Sequence, residues 1–241
     1  VDHTHADAVV TLTNLSDGEA RVREIYSDRV LYVPYVMPGY ELAKYCSDLW
    51  KRDGRDDLLG MVLLNHGIFS WGKNARESYD RMISLVSLAE EYLTAQGHVR
   101  FSSPVPETVP FIESTNDPAE LATLRKEISE AAGFPLLLRS NLSDRALEYA
   151  RHPELPKAHQ RGTATPDHVI RVKRSPLVGR DVKAYADNYR QAFQRNAEQT
   201  PEGETLEMLD PAPRLALDPQ LGLLSAGRRP GECRAAEAIA L

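Results

Sequence analysis

The most constraining stretch of this chain lies between residues 61 and 96. Met61 to Leu64 is an apolar run of strand length, interrupted by Asn65-His66-Gly67, and Ile68 to Trp71 is a second short run ended by Gly72. From Asn74 to Gln96, Tyr79, Met82, Ile83, Val86, Leu88, Ala89, Tyr92 and Leu93 recur at helical spacing. Such spacing builds a broad apolar stripe along one side of a helix. The stretch therefore reads as a strand sharply bent at Gly67, followed by a long helix with Gly97 at its C-terminal end.

The same signals extend in both directions. Residues 1 to 14 alternate polar His3, His5 and Asp7 with Thr4, Ala6 and Ala8, a strand pattern that runs into a helix or turn near Asn14. Arg29 to Tyr35 fits a strand stopped by Pro38-Gly39, and Tyr40 to Lys51 fits a helix. From His98 to about Asp117 the chain is rich in Pro, Ser and Thr, which predicts a surface linker and a boundary. The expected organisation is therefore residues 1–98, a linker over 99–117, and a second part over 118–241. In that second part Asp117-Pro118 opens a helix to Ala132. Strands are expected at Phe134 to Arg139, Val169 to Val172 and within Leu215 to Leu224. Helices are expected at Asp144 to Arg151, Val182 to Asn196 and from Pro230, with an exposed loop over Gln199 to Asp210.

Of the 241 residues, 42% are hydrophobic and 27% charged, and the net charge of −6 is spread along the chain. There is no concentrated basic face for nucleic acid. No run approaches the roughly 20 apolar residues of a membrane span, and the N-terminus lacks signal-peptide layout. The reading is a cytoplasmic protein acting on small molecules. Cys46 and Cys233 stand too far apart for a Cys-x-x-Cys site and read as reduced and structural.

The chemistry points to histidine. His3 and His5 are two residues apart, so on a strand both imidazoles leave the same face. Two nitrogens placed this way can hold a zinc ion at roughly 2.0–2.1 Å, and a third histidine leaves a coordination position open for substrate. His66 is the natural third, because it ends an apolar run beside a glycine that leaves room for a ligand. Taken alone, a His-x-His pair also suits an ordinary exposed strand. Asp7 reads either as a partner for a ligand imidazole or as a capping carboxylate.

Three blocks in order, Asp2-His3-Thr4-His5-Ala6-Asp7-Ala8, Val33 to Ala43, and Leu64-Asn65-His66-Gly67-Ile68-Phe69-Ser70-Trp71-Gly72, closely resemble the class II aldolase/adducin family. The resemblance implies an α/β fold, three-layer α/β/α with a central mostly antiparallel sheet. It also implies zinc ligation by His3, His5 and His66, with Tyr35 as a proton donor delivered across a subunit interface of a homo-oligomer. Tyr35 read as a strand residue is simply packed. Downstream strings, Gly162 to Arg171 and Leu221 to Gly227, are similar to bifunctional rhamnulose-phosphate aldolase/dehydrogenase proteins. Those imply cleavage of L-rhamnulose 1-phosphate to dihydroxyacetone phosphate and L-lactaldehyde, with a dehydrogenase domain following Leu241. The family's glutamate base and phosphate loop precede the His-x-His pair. With no initiator Met, the chain therefore reads as an N-terminally truncated fragment whose activity alone is in question. The same three ligands would serve a sugar-phosphate epimerase or dehydratase, and an adducin-like module would keep the fold without the chemistry.

The second half also repeats pieces of the first. Gly67 to Lys73 with Glu77 parallels Gly222 to Arg228 with Glu232, Asp2-His3 parallels Asp167-His168, and Pro34-Tyr35-Val36 parallels Pro176-Leu177-Val178. An internal duplication is expected, with Ile170, Leu221 and Leu177 where His5, His66 and Tyr35 stand. His168 then reads as a vestige or a structural residue, or as one reaching into the first site.

Overall fold

The computed structural model describes residues 1–97, 113–200 and 206–241. Most of the expected linker, and part of the loop after Gln199, lie outside the described residues. Those described fall into two compact units, one carrying β1–β4 with α1–α4 and the other β5–β8 with α5–α10; residues 164–166 group with the first.

The first unit runs β1 (Asp2–Thr4), α1 (Asp7–Thr13), α2 (Gly18–Tyr26), β2 (Val30–Val33), α3 (Tyr40–Asp53), β3 (Gly60–Leu63), β4 (Gly67–Ser70) and α4 (Ala75–Ala95). Its sheet has the order β1-β4-β3-β2, with β1/β4 and β4/β3 antiparallel and β3/β2 parallel. Alternation along the strands sorts side chains to two faces. Val30, Val62 and Ile68 join Val9, Leu12, Val22, Tyr26, Met82 and Leu85 from α1, α2 and α4. Leu31, Val33, Met61 and Leu63 join Leu42 and Leu49 from α3 on the other face. Burial on both faces is why β2 and β3 carry no charged side chain and are apolar nearly throughout. The expected single bent strand is thus a hairpin, β3 and β4, closed by a three-residue loop at Leu64–His66.

The second unit runs α5 (Pro118–Ala132), β5 (Leu137–Asn141), α6 (Asp144–Arg151), α7 (Leu155–Gln160), α8 (Pro166–Val172), β6 (Leu177–Val178), α9 (Val182–Ala197), β7 (Leu215–Asp218), β8 (Gly222–Gly227) and α10 (Pro230–Ala240). Its sheet has the order β5-β8-β7-β6, again with two antiparallel pairs and one parallel pair, β6/β7. Leu177, Ala216 and Leu224 pack with Leu124 and Ile128 of α5 and Val182 of α9. Leu215, Leu217 and Leu223 pack with Ala146 of α6, Leu155 of α7 and Ala236 of α10. Both units are therefore α/β, with helices on each face of a mostly antiparallel sheet. As expected, Asp117 caps α5 by accepting from the Ala119 N–H at 2.8 Å, with Pro118 in the first turn.

Three expectations are corrected. Residues 169–172 are helical: α8 opens with Pro166 and Asp167, and Val172 is buried against the second sheet while Val169 and Ile170 stay exposed. Packing overrides the β-branched preference. Strand β5 starts three residues late because Pro135 has no N–H to donate to a ladder, and Phe134 instead lies under Arg228, 3.8 Å from ring centre to guanidinium. Finally, His168 sits on α8, so Asp167-His168 is not the counterpart of Asp2-His3 on β1.

Candidate metal centre

Hairpin β3–β4 and strand β1 bring the three histidines together. Thr4 pairs with Ile68, which sets His5 beside Gly67 at the start of β4 and His66 at the loop's end. The ring centres lie 4.8 Å (His3–His5), 5.3 Å (His3–His66) and 5.0 Å (His5–His66) apart. His66 is buried, at 8% exposure, and its backbone N–H donates to the Leu63 carbonyl at 3.2 Å.

The fold around the histidines holds their rings in place. His3 stacks on Phe69, 4.1 Å between ring centres and 21° between planes. Its Nδ1 lies 3.0 Å from the Ile68 carbonyl, and since a carbonyl only accepts, that nitrogen carries the proton. The tautomer leaves Nε2 with its lone pair toward the other histidines. His3 Nε2 and His5 Nε2 are 3.1 Å apart, a separation that a shared proton or a shared cation stabilises. Asn65 adopts a left-handed φ of 57° and donates from Nδ2 to the Thr13 carbonyl at 3.2 Å and to Asn14 Oδ1 at 3.1 Å. The loop carrying His66 is thereby tied to the end of α1.

The donor set fits a metal. One nitrogen from each histidine lies within 4.8 Å of the others, whereas tetrahedral zinc spaces its nitrogens about 3.4 Å apart, so the widest pair closes by at most about 1.4 Å. Gly67 supplies the cradle. A Cβ there would lie 2.6 Å from the Thr4 carbonyl oxygen, 2.8 Å from His5 Cδ2 and 3.3 Å from His3 Cε1. Among the described residues this is the one cluster of three or more His, Cys, Asp or Glu that could hold a metal.

Asp7 is exposed in the first turn of α1, where a carboxylate suits the helix N-terminus. Tyr35 follows β2, is 54% exposed, and points its hydroxyl at Met37 Sδ, 3.8 Å away. It lies at the same end of the sheet as His66, because β2 and β3 are parallel. Strands β2 and β1 are opposite edges of this sheet, about 14 Å apart at the usual strand spacing. The tether through Asn65 and the carbonyl of Ile68 are the contributions that the sequence reading missed; a turn asparagine before His-Gly was the visible signal for the first.

Residues 1–93 match the family model described as the class II aldolase and adducin N-terminal domain, and residues 115–241 match that of the class II aldolase second domain. The chain belongs to the class II aldolase/adducin family. An uncharacterized oxidoreductase of Bacillus subtilis, YuxG, is 26% identical over 95% of this chain, which spans 35% of that protein. Two solved class II aldolase structures are also similar. The N-terminal class II aldolase domain of a conserved protein from Thermoplasma acidophilum is 34% identical, with a TM-score of 0.33 over 38% of this chain and 40% of that one. An aldolase II superfamily protein from Pseudomonas syringae is 23% identical, with a TM-score of 0.32 over 41% and 40%. Membership of the class II aldolase/adducin family is consistent with a metal-dependent, lyase-like enzyme. No helix among the described residues is long and apolar enough to cross a membrane.

Proposed function

We propose that this chain carries the metal half of a zinc-dependent aldolase that cleaves a ketose 1-phosphate, with L-rhamnulose 1-phosphate as substrate and dihydroxyacetone phosphate and L-lactaldehyde as products. The observation that carries the reading is the convergence of His3, His5 and His66 on one point at the end of the first sheet. Bound there, a divalent ion supplies Lewis-acid stabilisation of the negative charge that develops on the substrate oxygens as the carbon–carbon bond breaks. Three neutral imidazoles leave that ion its full charge. His3 stays in the ligating tautomer through its bond to Ile68, and Gly67 keeps the approach between the rings clear. Tyr35, exposed and following the edge strand opposite the one that carries His3, fits a proton donor offered to the site of a neighbouring copy, so the active form is a homo-oligomer. A dehydrogenase domain accompanies this segment in the longer protein, a reading supported by the length and name of the Bacillus relative.

The test is an assay of the zinc-loaded protein at its full genomic length. Dihydroxyacetone phosphate should be released from L-rhamnulose 1-phosphate, and the activity should be lost in His66→Ala. Epimerisation of L-ribulose 5-phosphate without cleavage would replace the aldolase reading by the epimerase one. Absence of stoichiometric zinc from the wild type would favour a non-catalytic adducin-like module.

A further inference from the structure

The two sheets have the same connectivity. With β1, β2, β3 and β4 set against β5, β6, β7 and β8, the spatial order, the two antiparallel pairs and the one parallel pair all coincide. Two helical connections correspond as well: α3 and α9 link the parallel pair, and α4 and α10 follow the last strand, whereas the first two strands are joined by two helices in one unit and three in the other. Shared topology alone is a weak argument, because few ways of connecting four strands are favoured. The register is more demanding.

The hairpin loops have equal length, with Leu63 facing Gly67 and Asp218 facing Gly222. Superposing Gly67 on Gly222 carries Ser70 onto Ser225. Ser70 faces Asp2 and Ser225 faces Arg139, so His3 falls on Ser140, Thr4 on Asn141, His5 on Leu142 and Asp7 on Asp144. Asp7 and Asp144 are each the first residue of the following helix. A Cβ on Gly67 would strike the Thr4 carbonyl oxygen at 2.6 Å, and one on Gly222 would strike that of Asn141 at 2.3 Å. Downstream, Glu77 Oε2 accepts from the Lys73 N–H at 2.7 Å, and Glu232 Oε2 accepts from the Arg228 N–H at 2.7 Å. The glycines Gly72 and Gly227 lie against those same two glutamates. Details of this kind are not required by the topology.

We infer that the second unit is an internal duplicate of the first in which the three-histidine centre has been replaced, position for position, by Ser140, Leu142 and Leu221. The chain therefore holds one metal and not two. At the lost site the turn has been rebuilt without a ligand. In the first unit the His66 N–H bonds the Leu63 backbone carbonyl. In the second, Asp218 Oδ1 accepts from both the Gln220 and the Leu221 N–H at 2.9 Å, and Arg180 pairs with Asp218 at 2.7 Å. Leu221 is fully buried in the second core, so the space of a metal ligand has become packing. The register also revises the alignment read from sequence: Leu31 faces Met61 and Leu177 faces Ala216, which puts Leu177 level with Leu31 and Asp181 level with Tyr35.

The metal count rests on the triad binding zinc, as proposed above; the duplication does not. The experiment restores the centre with S140H/L142H/L221H in the full-length protein and measures zinc per chain after dialysis, with circular dichroism as the fold check. A folded variant should hold two zinc ions against one in wild type, and melt higher with zinc than with a chelator. A folded variant that still holds one overturns the inference. If this variant fails to fold, the reciprocal H3S/H5L/H66L decides. It should fold, hold no zinc, and melt at or above the chelated wild type; failure to fold would refute the equivalence. A wild type that holds no zinc would sink the aldolase proposal, and the reciprocal melt would still test the duplication.

Discussion

Substituting Gly67 by Ala isolates the cradle of the metal centre. The backbone there is not in the left-handed region, so alanine meets no conformational penalty and the effect is one of space alone. The added methyl would lie 2.6 Å from the Thr4 carbonyl oxygen, where contacts of this kind settle near 3.5 Å; β1 must therefore retreat by roughly 0.9 Å. Thr4 stands between His3 and His5, so its displacement moves both ligands, and metal–ligand bonds tolerate about 0.2 Å. The expected result is a fall in zinc affinity of about 100-fold, comparable with the loss of an outer-shell partner, read by competition with a chromophoric chelator. The strain itself should cost about 1–3 kcal/mol, and this part should persist in melts run with excess chelator. Wild-type zinc affinity in Gly67→Ala would refute the placement of the metal between these strands.

Four further outcomes follow from the same contacts. His3→Ala and His66→Ala should each abolish stoichiometric zinc, measured by metal analysis of folded protein. Tyr35→Phe should keep zinc at wild-type content while lowering kcat about 10²–10⁴-fold, the range for removal of an acid–base group; an unchanged kcat removes Tyr35 from the mechanism. Burial pushes Lys173 down to about 8 from 10.5 against the opposing pull of Asp210, so between those values the unfolded chain binds the extra proton and stability rises with pH. Relative to Lys173→Met, the wild type should gain about 3 kcal/mol across that window, measured by urea denaturation of each at pH 7.5 and 10.5. Arg180→Met should destabilise the second unit by about 2 kcal/mol, since it leaves the buried Asp218 carboxylate with backbone donors alone; loss of stability below this in melts of the variant would mean solvent replaces the guanidinium.

Long periodic segments were legible in the sequence because their signal is local. The span of α4 and the Asp117-Pro118 start of α5 need only neighbours along the chain, and both lie where the spacing places them, while Tyr79 and Ile83 of the expected stripe face solvent. The histidine triad was legible from strand alternation plus a turn glycine. The Asn65 tether showed only as a turn asparagine, because its acceptors, Thr13 and Asn14, are some fifty residues away. Residues 169–172 misled because Val-Ile-Arg-Val favours a strand locally, while the decisive contact, Val172 in the core with Leu215 and Leu217, is made with a distant segment. The repeat shows the same limit. Matching letters paired Asp2-His3 with Asp167-His168, whereas ladder register, absent from the letters, pairs His3 with Ser140.

The hairpin loop ending at His66 has a mechanical consequence. A metal held by His5 and His66 closes a chain loop between those residues, and cross-links over such spans remove about 4 kcal/mol of unfolded-state entropy. Such an ion would be a removable staple on one half of the molecule only. Chelation should convert a single melting transition into two, with the histidine-bearing half giving way first and its metal-free twin unfolding at an unaltered temperature.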